Sequence, residues 1–270
     1  MVRFAYLILA AVCWCFAGCD EVKGNDDVLQ ATVTVNGYIG QGVFVERSDS
    51  EGRHVYFLTA RHIATYPGLA DSPIQLKIGR ETDYTLNSQS SRWMTLVTGN
   101  VNGIPVEWDL AWYELNKDEC EELRGKKALN AIHLDASGTV RLLDCRKRIR
   151  QLGVKSIESE IVFLSGPRSA AIQVEVFNIC HLSNQFNRRF HEFKCLVAGA
   201  LCEQTTVDGD SGGAVFIKED SASTWKLAGL DIGHVNERGT EYTTVCPLDP
   251  FLAALRDGTG VRLVDRPEVW

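Results

Sequence analysis

Val207-Asp208-Gly209-Asp210-Ser211-Gly212-Gly213-Ala214-Val215-Phe216 is a glycine-dense turn that leads into an apolar run. A serine flanked by glycines and preceded by an acid is the pattern of a nucleophile whose backbone must approach a substrate closely. Gly209 can offer its N–H with no side chain in the way, Ser211 can offer both hydroxyl and N–H, and Gly212 and Gly213 allow tight packing behind them. A serine hydroxyl is a weak nucleophile until a base activates it. The rest of the chain is therefore read for a base and for the acid that would orient it.

The chain has 270 residues, 45% of them hydrophobic, which is enough for one large core or two modest ones. A formal net charge of -7 argues against a general nucleic-acid binder, because phosphate contacts need clustered Lys and Arg. The basic group Arg146, Lys147, Arg148 and Arg150 is explained by a solvated face without a ligand. No cofactor motif stands out.

The first residues read as a targeting segment. Met1-Val2-Arg3 followed by apolar Phe4 to Ala17 is too short for a comfortable membrane span and fits a secretory signal over residues 1–18. Phe16-Ala17-Gly18-Cys19 resembles the box of bacterial lipoproteins, with Cys19 lipidated as the mature start and residues 19–28 as a tether. The location implied is the bacterial cell envelope, on a lipid anchor facing the periplasm or exterior; ordinary secretion is the alternative. Export leaves Cys120, Cys145, Cys180, Cys195, Cys202 and Cys246 for up to three disulfides of undetermined pairing. A metal site from Cys180, His181, His191, Cys195 and Cys202 is the rival, and no CxxC or HExxH spacing supports it.

From Ala31 on, the pattern is β. Ala31 to Val35 alternates, Asn36-Gly37 is a hairpin turn, and Tyr38 to Val45 returns. Val55 to Leu58, Ile74 to Ile78 and Met94 to Thr98 are further strands, and Glu119 to Leu123 is a short helix. Ile161 to Leu164, Ile172 to Phe177, Leu227 to Leu230 and Glu241 to Val245 follow, with a closing helix over Pro247 to Arg256. Many short strands separated by turns predict a barrel or sandwich.

Two segments supply the missing partners. Val55 to Leu58 runs into Thr59-Ala60-Arg61-His62-Ile63, which places a histidine just beyond a buried strand. Trp108-Asp109-Leu110-Ala111-Trp112 places an acid at the head of an apolar stretch, where it must find a hydrogen-bond partner. Gly42-Val43-Phe44-Val45, a turn, and Thr59-Ala60-x-His62 resemble the first half of chymotrypsin-like serine proteases. Asp109-Leu110-Ala111 and Gly209-Asp210-Ser211-Gly212-Gly213 resemble the other two motifs of that family. A small residue is usual where Arg61 stands, and its side chain is expected to point outward.

Chain order separates this family from others that use a serine. An α/β-hydrolase elbow also reads Gly-x-Ser-x-Gly, but its acid and histidine follow the serine, and here only His234 does so. A subtilisin-like order, aspartate first, fails as well. The resemblance spans residues 29–257. It implies an all-β fold of two antiparallel six-stranded β-barrels, chymotrypsin-like, with a C-terminal helix. The first barrel would span 29–125, a charged connection 126–158, and the second barrel with its closing helix 159–257, before a tail over 258–270.

The resemblance further implies a serine endopeptidase acting as a monomer on protein or peptide substrates without a metal or cofactor. His62, Asp109 and Ser211 would form its triad. The N–H groups of Gly209 and Ser211 would bind the oxyanion, and Asp210 would order the turn. In animal members that acid pairs with an amino terminus freed by cleavage; a lipidated Cys19 has none to offer, so Asp210 is expected to be satisfied within the fold. Thr205, Thr206, Asp231 and His234 are the candidate substrate-pocket residues, and the absence of an acid at Thr205 speaks against trypsin-like preference. A non-catalytic binding module on the same fold is the alternative.

Overall fold

A computed structural model describes residues 32–35, 39–65, 73–78, 82–86, 92–101, 104–139, 157–165, 170–183, 192–200, 209–218, 226–237 and 240–263. The signal and tether segments, Cys19, Thr205, Thr206 and the basic cluster at 146–150 lie outside these residues. Among the described residues no helix is long and apolar enough to cross a membrane.

Strands dominate. The first half carries β1 (Thr32–Val35), β2 (Gly40–Asp49), β3 (Gly52–Thr59), β4 (Ile74–Ile78), β5 (Thr82–Leu86), β6 (Trp93–Val101), β7 (Ile104–Glu114) and β8 (Ile132–His133). The second carries β9 (Ile157–Ser165), β10 (Ala170–Ser183), β11 (Glu192–Ala200), β12 (Ala214–Lys218), β13 (Lys226–Glu237), β14 (Thr240–Pro247) and β15 (Val261–Arg262). Among the described residues three helices intervene: α1 (Arg61–Ala64), α2 (Lys117–Gly125) and α3 (Asp249–Asp257). β4 shows the rule that builds them, since Ile74, Leu76 and Ile78 are buried while Gln75 and Lys77 face water.

The first sheet departs from the expected six-stranded barrel. It has nine strands, in the order β15-β6-β7-β3-β2-β1-β4-β5, with β8 beside β2. The extra strands come from outside the expected bounds. β8 lies in the charged connection, and β15 lies in the tail, which returns past α3 to pair with β6. Each covers an edge or open side whose N–H and C=O groups would otherwise lack partners. In the second half the antiparallel ladder runs β10-β11-β14-β13-β12-β9 and β9 pairs again with β10, so all six strands have two neighbours.

β2, β3 and β7 are buried on both faces, and this explains their nearly continuous apolar sequence. Phe44, Phe57, Ala111 and Tyr113 point into one core with Ala60, Ile63, Ala64 and Trp93. The alternate residues Val43, Val45, Leu58, Leu110 and Trp112 point into a second core shared with Ala214, Phe216, Leu227 and Leu230 of the other half and with Phe251 of α3. Phe251 is edge-on to both Tyr56 and Trp112, with ring centroids 5.7 and 5.3 Å apart. α3 is thereby anchored on the first sheet, and it ends at Gly258 in the left-handed conformation.

Two of the six cysteines read as candidates for up to three disulfides form none. Cys120 is a buried thiol outside any disulfide, and the Cys246 thiol donates to the Pro247 carbonyl at 3.8 Å. Both sit inside apolar clusters, where they pack as small hydrophobic side chains. Cys180 and Cys195 face each other in the β10–β11 ladder.

Phe251→Ala should cost about 3–5 kcal/mol, because it removes a fully buried ring and leaves a cavity between α3 and β3/β7. Denaturant unfolding measures this, and a loss under 1 kcal/mol would contradict the anchoring role.

Candidate active site

β3 ends at Thr59, Ala60 stays extended, and the chain then makes the single turn α1. Ile63 and Ala64 are buried in the first core and pin this turn, while the His62 side chain keeps 42% of its surface exposed. Asp109 reaches it because of strand parity. On β7 residues 109, 111 and 113 share a face, and Ala111 and Tyr113 point into the core that holds α1. Asp109 is thus in the middle of a strand rather than at its start, and it is 4% exposed.

A carboxylate that deep needs donors, and His62 supplies two. Its backbone N–H donates to Asp109 Oδ1 at 2.9 Å, and its ring Nδ1 lies 2.6 Å from Asp109 Oδ2. An ionised carboxylate can only accept, so Nδ1 carries the proton and Nε2 of the neutral ring is left as a base. Burial pushes the His62 pKa down, but the charge and hydrogen bond of Asp109 outweigh it and hold the ring above its ordinary value, with Asp231 adding in the same direction. Burial would raise the Asp109 carboxyl, yet the charge and hydrogen bond of His62, with Arg61 nearby, keep it below the usual range.

Ser211 sits in a turn built by two glycines with positive φ, Gly209 at 94° and Gly212 at 88°. Gly212 N–H donates to the Asp231 carbonyl at 2.6 Å, Gly213 N–H to the Asp210 carbonyl at 2.9 Å, and Asp231 N–H to the Gly213 carbonyl at 2.8 Å. Among the described residues the N–H groups of Gly209 and Ser211 are not engaged. A Cβ on Gly212 would run into the Gln41 carbonyl and Thr59 Oγ1, so the turn lies flat against β2 and β3.

The same contact sets the Ser211 backbone beside the residue that follows the histidine. The Ser211 carbonyl accepts from Gln41 N–H at 2.8 Å. A Cβ placed on Gly40 would meet Ser211 O at 2.9 Å and Ile63 Cδ1 at 2.7 Å, so the serine backbone and the residue after His62 border one point. Asp210 is buried, and its Oδ1 accepts from Gln41 Nε2 at 3.2 Å, a partner inside the fold. Sequence reasoning passed over Gln41; a polar residue between Gly40 and Gly42 in an otherwise apolar strand was the available signal.

Arg61 departs from expectation. It does not point outward but is 5% exposed, close enough for its charge to act on both His62 and Asp109. Asp231 is buried on β13, and its Oδ1 accepts from Gly233 N–H at 2.8 Å. His234 lies three residues further on, opposite Thr243 in the ladder.

No protein-family model matches the chain, and no curated protein matches its sequence. Solved structures do. The MamO protease domain from Magnetospirillum magneticum, in its apo form, is 13% identical over 84% of this chain and 97% of that one, with a TM-score of 0.48. The NS6 protease from murine norovirus 1 is 15% identical over 82% of this chain and 90% of that one, with a TM-score of 0.44.

The His62 ring should titrate above the ordinary value of about 6.5, and NMR of its ring protons reads this directly. In Asp109→Asn the midpoint should fall below it, since burial and Arg61 then prevail; an unchanged midpoint would refute the pairing. The sign for stability follows. The raised His62 pKa stabilises the fold below about 6.5 and ceases to as pH rises through the folded value, whereas ionised Asp109 stabilises it above about 3.9 and ceases to as pH falls through its lowered value.

Proposed function

We propose that the chain is a serine endopeptidase of chymotrypsin-like fold, with His62, Asp109 and Ser211 as its triad. The observation that carries this reading is the His62–Asp109 pair, joined through both ring and backbone, beside a serine turn clamped to the same strands. A purely structural protein would have no reason to spend a buried carboxylate on orienting a solvent-facing histidine.

In the proposed reaction the Ser211 Oγ attacks a peptide carbonyl carbon while His62 Nε2 takes the hydroxyl proton. Asp109 holds the Nδ1–H and stabilises the imidazolium that forms. The carbonyl π pair moves onto oxygen, where the open N–H groups of Gly209 and Ser211 receive it. The tetrahedral carbon then expels the amine, which leaves with the proton from His62, and the acyl group remains on Ser211. Water, deprotonated by the same ring, attacks the ester and restores the serine.

Substrate side chains would be met by Thr205, Thr206, Asp231 and His234. Asp231, 3% exposed, would act from behind that wall, its backbone bracing the serine turn and its charge reaching His62. A lipid anchor on Cys19 would hold the enzyme at an envelope membrane, where its substrates would be extended segments of exported proteins. [³H]Palmitate incorporation that disappears in Cys19→Ala would support the anchor; an unlabelled wild type would remove it.

A fluorophosphonate tests the chemistry because the Ser211 oxygen displaces fluoride from phosphorus, and this needs the same base and N–H groups. Wild type should label, Ser211→Ala should not, and His62→Ala should react slower by about three orders of magnitude or more. A folded wild type that stays unlabelled favours a non-catalytic binding module instead.

A further inference from the structure

Gln41 is wholly buried, and three of its contacts converge on the serine turn. Its side-chain Nε2 donates to Asp210 Oδ1 at 3.2 Å, and its backbone N–H donates to the Ser211 carbonyl at 2.8 Å. Its carbonyl accepts from Thr59 Oγ1 at 2.6 Å and abuts Gly212, where a Cβ would strike it. One residue of β2 thus touches three successive residues of the turn, and Thr59 ties it to the strand that delivers His62.

The side chain itself is costly to bury. Its Oε1 finds no hydrogen-bond partner among the described residues, and a buried amide oxygen without one destabilises a fold. A methionine or leucine would fill the same space without that cost, as the neighbours Val43 and Phe44 do on this strand. What an apolar residue could not do is donate to the Asp210 carboxylate. Asp210 immediately precedes the serine, so tethering its side chain restrains the backbone next to the peptide that carries the Ser211 N–H.

We propose that Gln41 is the positioning residue of the nucleophile turn: its amide donates to Asp210 and so holds the Ser211 N–H and hydroxyl in the reactive arrangement. This inference rests on the hydrolase reading above. The donor of this clasp is an uncharged amide on β2, so the clasp forms as the two sheets dock.

The test exchanges donor and acceptor in the full-length protein. The rate of fluorophosphonate labelling is measured against pH for wild type, Gln41→Glu, Asp210→Asn and the double variant, with thermal melts at each pH. At pH 8 Gln41→Glu should label about ten- to hundredfold slower than wild type, because two facing carboxylates cannot hydrogen-bond. Its rate relative to wild type should recover as pH falls, since a proton shared by the pair restores the donor. The Gln41→Glu/Asp210→Asn variant, with the donor now on residue 210, should regain at least about tenfold of the loss at pH 8, and the pH dependence of the ratio should vanish.

A residue that merely fills space would lower the rate by the same factor at every pH and would show no rescue. Gln41→Glu labelling like wild type at all pH values, or a double variant that is unfolded or no faster than Gln41→Glu, overturns the inference. A Gln41→Glu chain that fails to fold while the double variant folds and labels upholds it. A wild type that does not label overturns the hydrolase reading and this inference with it, whereas a labelling wild type with indifferent Gln41 variants overturns this inference alone.

Discussion

The structure turns on a carboxylate placed where water cannot reach it. Asp109 lies in the middle of β7, in a strand buried on both faces, and an ion there is tolerable only with donors aimed at it. Both donors to its oxygens come from His62. The fold must therefore bring the end of β3 and the one-turn α1 against the middle of β7, and the apolar residues Ala60, Ile63 and Ala64 do this by packing in the core that Asp109 faces. The ion pair and the hydrophobic packing specify the same geometry.

The second half of the molecule is attached to that arrangement through its serine turn. Gln41 binds the turn through backbone and side chain, and Gly212 allows an approach that any larger residue would block. Behind this contact Phe216, Leu227 and Leu230 share a core with Val43, Leu58 and Trp112, and α3 closes it with Phe251. The groups proposed to do chemistry thus stand on a strand, a one-turn helix and a turn that are each held against packed sheets. This limits how far the serine can drift from the histidine.

Much of this was legible in the sequence because strands and turns announce themselves locally. Period-two alternation located β1, apolar runs between turns located β3 and β4, and the short helix read at Glu119 to Leu123 is part of α2, which a capping box at Asn116 starts. The short strands β8 and β15 were missed, since their hydrogen-bond partners lie far away in the chain and little in their composition requires a strand, and β5 was missed although it pairs with the adjacent β4. Cys120 and Cys246 were read as disulfide candidates from an inferred compartment, whereas apolar burial accounts for them. The inward turn of Arg61 likewise depends on what surrounds it.

The sequence by itself determined the β character, the order His62, Asp109, Ser211, and the glycines that let the serine turn form, because these follow from residue chemistry and short-range sterics. Only the tertiary structure decided that Asp109 and His62 face each other, that the first sheet takes nine strands, and that Gln41 donates to Asp210. The physical reason is that each of these is a relation between segments tens to hundreds of residues apart. Which pairs meet is set by the register of the sheets and the packing between them, and the local pattern around either partner carries no record of that.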